Sequence, residues 1–138
     1  MSLQKVSLPA LHKMRQEGEK IAMMSCSDYS FAALEDAAGV DIVFIGDSLG
    51  MTVQGHDSTL PVTLDEMVYH TRIVARGVKR AAVMGDLPFA TYQEGPQQAY
   101  RSAARLTAAG AHIVKLEGGA IFSDCVEFMA ARGIPVRL

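Results

Sequence analysis

The stretch Asp41-Ile42-Val43-Phe44-Ile45-Gly46-Asp47-Ser48 reads as a strand buried on both faces and then stopped by a carboxylate. An unbroken apolar run of this kind belongs in a parallel sheet. Working upstream, Asp28 to Ala38 reads as a helix closed by Gly39, preceded by a first strand over Lys20–Ser25. Ser7 caps an opening helix that carries Pro9 in its first turn and runs to about Glu17. Downstream, a long loop covers Asp47 to Pro61. Thr63-Leu64-Asp65-Glu66 is a capping box, so a helix follows to about Arg76. Ala81–Gly85 is a third strand and Gly95-Pro96 opens a helix to Ala109. Ala111–Leu116 is a fourth strand, Ile121–Ala131 a further helix, and Ile134-Pro135-Val136 begins a fifth strand.

Three helix exits share one grammar: Ala38-Gly39-Val40, Ala109-Gly110-Ala111 and Arg132-Gly133-Ile134 each place a glycine where the left-handed closing residue belongs. Four βα units in a row imply a parallel sheet with right-handed crossovers. An open doubly wound sheet and part of a (β/α)8 barrel both satisfy that pattern. A whole barrel needs about 250 residues. This chain has 138 and stops inside an apparent strand, so the expectation is a fragment: 1–138 as one half of a single barrel domain.

Composition narrows the partners. Hydrophobic residues make up 49% and charged residues 20%, which suits one globular core and disfavours disorder. Thirteen basic residues stand against fifteen acidic ones with no basic stripe, so no nucleic-acid partner is expected. Apolar runs fall far short of the about 20 residues that span a bilayer, so no membrane role is expected. Met1-Ser2-Leu3 opens no signal-peptide pattern, and Cys26 and Cys125 read as reduced thiols of a cytoplasmic protein.

Acidic residues fall at one place in each unit. Asp47 follows the second strand, Asp86 the third, and Glu117 ends the fourth. The carboxyl edge of a parallel sheet is where α/β folds bind ligands. Three carboxylates gathered there repel unless a cation sits among them, and an all-oxygen set without cysteine points to Mg²⁺. Lys115, two residues before Glu117, shares its face and could hold a carboxylate or an oxyanion. Ser48, flanked by Gly46 and Gly50, offers a hydroxyl and free amides to an anionic oxygen. The histidines form no metal-ligand spacing: His12 and His70 read as surface or packing residues, His56 as a loop residue and His112 as a structural one. Cys26 lacks a partner histidine and is not read as a nucleophile.

Gly46-Asp47-Ser48-Leu49-Gly50 followed by Gln54-Gly55-His56-Asp57-Ser58-Thr59-Leu60-Pro61-Val62-Thr63 closely resembles ketopantoate hydroxymethyltransferase. Tyr69-His70-Thr71, Asp86-Leu87-Pro88-Phe89 and Val114-Lys115-Leu116-Glu117-Gly118-Gly119 fit that family in the same order, from about Met14 onward. The resemblance implies a (β/α)8 barrel that makes ketopantoate from 3-methyl-2-oxobutanoate and 5,10-methylenetetrahydrofolate in pantothenate biosynthesis. It implies Mg²⁺ at Asp47, Asp86 and Glu117, and 2-oxo acid contacts from Asp47, Ser48, Asp86 and Lys115. It implies a cytoplasmic homo-oligomer, often a decamer. Ser27 departs from the family, which usually has Tyr there. A substrate-contacting histidine and the general base belong to the family's second half, beyond Leu138. No catalytic residue is therefore assigned within the chain, which alone is expected to be inactive as a transferase. The alternatives are another Mg²⁺-dependent 2-oxo acid barrel, of the phosphoenolpyruvate mutase and isocitrate lyase type, and a non-catalytic half-barrel.

Overall fold

In the computed structural model, which describes residues 4–138, the run quoted first forms β2 (Ile42–Ile45). Met1-Ser2-Leu3 and its expected lack of a leader pattern lie outside the described residues. α1 (Leu8–Gln16) is capped by the Ser7 side chain, which accepts from the Ala10 amide. β1 (Met23–Ser25) and α2 (Tyr29–Ala38) precede β2, and α2 is capped by Asp28 and closed by Gly39 at φ 93°. A short α3 (Leu49–Thr52) interrupts the loop after β2. α4 (Leu64–Gly77) starts on the expected capping box: Glu66 N–H donates to Thr63 Oγ1, and Thr63 N–H donates to Glu66 Oε2 at 2.7 Å. Such a cap is worth about 1 kcal/mol. Then come β3 (Ala82–Asp86), α5 (Pro96–Ala109) and β4 (Ile113–Lys115). A 3₁₀ turn (Gly119–Phe122), α6 (Ser123–Ala130) and β5 (Val136–Arg137) complete the order.

All pairings are parallel and the strands lie in chain order, β1 to β5. A doubly wound sheet reverses its order at a switch point; this one does not. Alternation sorts the side chains into two layers. Val43, Ile45, Val83, Val114 and Leu116 face the helices and pack with Met67, Val74, Leu106 and Met129. Ile42, Ala82, Met84 and Ile113 face the other way, where Leu11 of α1 covers them. Met23 of β1 and Arg137 of β5 lie on that second face, and Arg137 Nη1 reaches within 3.9 Å of Met23 Sδ. Four interstrand steps would separate those strands by about 19 Å in a flat sheet. The sheet therefore curls around α1. Sequential order and curl together give four βα units and a fifth strand of a (β/α)8 barrel.

Boundaries differ locally. β1 begins at Met23 rather than Lys20, because the Ala22 amide donates to Asp41 Oδ2 instead of a ladder carbonyl. α3 exists because Leu49 is buried and Gly50 lies flush on Val62, where a Cβ would sit 2.4 Å from Val62 Cγ2. Among the described residues no helix is long and apolar enough to cross a membrane.

Candidate active site

Asp86 is the last residue of β3 and stands in register with Lys115, the last residue of β4. Neighbours in register on one face must touch, and Lys115 Nζ lies 3.1 Å from Asp86 Oδ1. The same ammonium lies 2.7 Å from Glu117 Oε2, two residues further along. On the other side, the Asp47 amide donates to Asp86 Oδ2 at 3.3 Å. The Leu87 amide donates to the Lys115 carbonyl at 2.9 Å, which carries the β3–β4 pairing one step past the strands. These residues form the polar wall of a cleft of about 240 Å³ at the carboxyl edge of the sheet. Leu60 and Phe89 stand on its apolar rim, both more than half exposed. The Phe44 ring lies 5.7 Å from Lys115 Nζ.

Burial sets the electrostatics. Asp86 is 4% exposed, and loss of hydration pushes its carboxyl up to about 6. Lys115 pulls against that rise, and the charge of Asp47 adds to it. Burial alone would lower the Lys115 ammonium, but the Glu117 hydrogen bond and the charge of Asp86 outweigh it and hold the lysine above its ordinary range. The Lys115 hydrogen bond in turn keeps exposed Glu117 below the usual carboxylate range.

The expected residues converge, with two differences in detail. Asp47, Asp86, Lys115 and Glu117 share the cleft, while Ser48 stands just outside its lining at the start of α3 and makes no side-chain capping bond. The expected three-carboxylate cluster is not closed: among the described residues no three histidine, cysteine or acidic groups are placed to hold a metal ion. The Lys115 ammonium bridges Asp86 and Glu117 instead. Larger hollows, of about 380 and 470 Å³, lie at the opposite edge beside α1. At the first, Arg80 pairs with Asp41 and Lys13 with Glu17, and neither hollow contains the acidic strand ends, so size does not locate the chemistry.

Other titratable groups are structural. His112 Nδ1 accepts from the Val83 amide at 3.0 Å, and burial pushes this imidazole down. Cys26 lies beside the Asp28 carbonyl, and burial pushes its thiol up, away from thiolate. His70 Nδ1 lies 2.7 Å from the Ser27 carbonyl, which ties α4 to the turn where the unusual serine stands. Sequence reasoning missed Tyr92. It is buried in the cleft wall and donates its hydroxyl to the Glu117 carbonyl at 2.9 Å. The pair is 25 residues apart, and no local spacing signals it.

Residues 5–137 match the family described as ketopantoate hydroxymethyltransferase. The chain is 62% identical over 131 residues to 3-methyl-2-oxobutanoate hydroxymethyltransferase of Thiobacillus denitrificans, covering 95% of this chain and 50% of that one. It is 56% identical over 132 residues to the protein of the same name from Chromobacterium violaceum, covering 96% and 50%. The chain thus spans about half the length of these curated relatives. A phosphonopyruvate hydrolase solved with oxalate and Mg²⁺ matches in fold at TM-score 0.69 and 15% identity, covering 89% of this chain and 47% of that one. A 2,3-dimethylmalate lyase of the PEP mutase/isocitrate lyase superfamily matches at TM-score 0.66 and 19% identity, covering 93% and 50%.

Proposed function

The chain belongs to the ketopantoate hydroxymethyltransferase family, and on that premise we propose that it carries the 2-oxo acid and metal-binding part of the enzyme's site. The reaction is hydroxymethyl transfer from 5,10-methylenetetrahydrofolate to 3-methyl-2-oxobutanoate, giving 2-dehydropantoate. The observation that carries this reading is the buried Asp86 with Lys115 across it and Asp47 beside it, at the carboxyl edge of a barrel sheet. The reading places residues 1–138 within one catalytic domain of a cytoplasmic homo-oligomer.

Magnesium fits the donor set. Asp47 and Asp86 stand close enough for the charge of one to raise the other, and both are hard oxygen donors. Mg²⁺ characteristically takes one or two protein carboxylates and completes its shell with water and substrate. Asp47 and Asp86 would hold it. Glu117 would join them on leaving Lys115. When bound, the ion supplies Lewis-acid polarisation of the 2-oxo group, which makes the adjacent C–H more acidic.

The chain's own residues bind and orient. Lys115 holds its proton, and its ammonium can donate to the substrate carboxylate or the developing enolate oxygen in place of Glu117. The Ser48 hydroxyl, free of a capping bond, is available to a carboxylate oxygen. Leu60 and Phe89 offer apolar surface on the side where the branched aliphatic group would lie. Asp47, Ser48, Asp86, Lys115 and Glu117 are all engaged in binding, so none is assigned as the proton acceptor.

A chimera tests the reading. Residues 5–137 would replace the matching segment of the Thiobacillus denitrificans relative, with 2-dehydropantoate measured by mass spectrometry. Turnover within about tenfold of the parent is expected, falling by at least about 10²-fold on Lys115→Ala. A folded chimera with no turnover, or one indifferent to Lys115→Ala, would contradict the proposal.

A further inference from the structure

The site's two walls come from two loops that differ in how firmly they are held. One follows β3 and begins just after Asp86. It is tied to α5: Ser102 Oγ donates to the Thr91 carbonyl at 2.7 Å, and Gln98 Nε2 donates to the Ala90 carbonyl at 2.9 Å. Thr91 Oγ1 donates back to the Pro88 carbonyl at 2.6 Å. Ala90 is held at φ 65°, the one non-glycine residue at positive φ among the described residues. The other loop follows β4 and carries Glu117. Its next two residues are Gly118 and Gly119, at φ 141° and 74°, backbone conformations that residues with a side chain rarely adopt.

Tyr92 joins the firm loop to the free one. Its hydroxyl donates to the Glu117 carbonyl, and its ring meets Phe122 edge-on at 5.2 Å. Phe122 lies flat against Gly118, where a Cβ would come within 2.4 Å of the ring. The Cys125 thiol approaches the Tyr92 carbonyl at 4.0 Å. Burial pushes the phenol above its ordinary range. From the carbonyl it holds, the path to the substrate site is short: Glu117 Oε2 lies 2.7 Å from Lys115 Nζ, which lies 3.1 Å from Asp86.

We propose that Tyr92 is a positioning residue: its hydrogen bond to the Glu117 carbonyl holds the glycine turn so that Glu117 and Lys115 face Asp86 before ligand arrives. This rests on the reading of the cleft as a 2-oxo acid site. Tyr92 acts through Glu117 in this scheme and is assigned no bond to substrate. It reduces the number of arrangements that Lys115 and Glu117 must give up on binding. Tyr92→Phe retains the ring and its contact with Phe122 while removing the donor, which isolates the hydrogen bond.

The test uses the chain itself, with 3-methyl-2-oxobutanoate titrated in the presence of Mg²⁺, and amide exchange followed by mass spectrometry. Tyr100→Phe is the control, because Tyr100 makes a similar edge-on contact with Phe128 on the outer helices, away from the cleft. Tyr92→Phe should weaken oxo acid affinity about tenfold, the order expected when a part-buried carbonyl loses its partner. Exchange should quicken over residues 117–122 and stay unchanged in β2 and α4. Tyr100→Phe should alter neither. Unchanged affinity in Tyr92→Phe would overturn the proposal. So would an affinity loss accompanied by faster exchange throughout the sheet, because the role would then be structural. Failure of the unsubstituted chain to bind oxo acid would count against the functional reading instead. The exchange pattern alone would then decide whether Tyr92 holds the turn, with unchanged exchange over 117–122 overturning it.

Discussion

Lys115 lies between a buried carboxylate and an exposed one, and both contacts hold its proton on. A lysine that forms an imine needs the opposite environment, one that strips the proton at neutral pH. Lys115 should therefore bind substrate as an ammonium. Borohydride treatment with 3-methyl-2-oxobutanoate present should leave Lys115 unmodified in a peptide mass map; a reduced adduct on that residue would contradict the assignment. The positions of Asp47, Asp86 and Glu117 were legible in the sequence because each closes an apolar run, and that of Lys115 because alternation puts it on the face of Glu117 two residues on. The ion pairs were less so. Three acids at one edge suggested a closed carboxylate cluster, whereas Lys115 intervenes between two of them. Tyr92 was not legible at all, since its role depends on the approach of two loops in space.

Helix boundaries were written locally. Ser7, Asp28 and Thr63 cap their helices through their own side chains, and Gly39 and Gly110 close theirs at positive φ. α3 was not legible, because four residues carry too little periodicity and the turn is fixed by contact with Val62. Nor was the role of Asp36 on α2. Its carboxylate accepts from the amides of Lys79, Arg80 and Ala81 at 2.7–3.2 Å, and so ties α2 to the entry of β3. Burial pushes this carboxyl up, but the three amides and the nearby Arg80 charge outweigh it and hold the pKa below the usual value. A depressed carboxyl stabilises the fold above its unfolded pKa and loses that contribution as pH falls through its folded pKa. Asp36→Asn should cost about 2 kcal/mol near pH 7, as expected for hydrogen bonds to a charged group. The gap from the unsubstituted chain should narrow as pH drops below about 4, the ordinary carboxylate value of the unfolded chain, and close as pH falls through the lower native value. Urea unfolding at several pH values checks this; a gap constant from pH 7 to pH 2 would contradict it.

At the scale of the whole chain, the four repeated units predicted a parallel sheet but left open whether it closes. Apolar alternation marks which residues are buried and not the direction in which the sheet bends. The contact between Arg137 and Met23 settles that, with α1 packed against Ile42, Met84 and Ile113 on the inside of the curl. Direct parallel pairing sets the ends of β2, β3 and β4 side by side at one cleft, so the units supply separate pieces of one site. On the proposed reading, Asp86 at that edge joins metal and oxo acid. Calorimetric titration of 3-methyl-2-oxobutanoate into the chain, with and without Mg²⁺, tests it most directly when repeated on Asp86→Asn. Binding should require Mg²⁺ and should weaken by about 10²-fold or more in the variant, as for loss of a metal-binding carboxylate. Equal affinity with and without Mg²⁺, or undiminished Mg²⁺-dependent affinity in Asp86→Asn, would contradict the account.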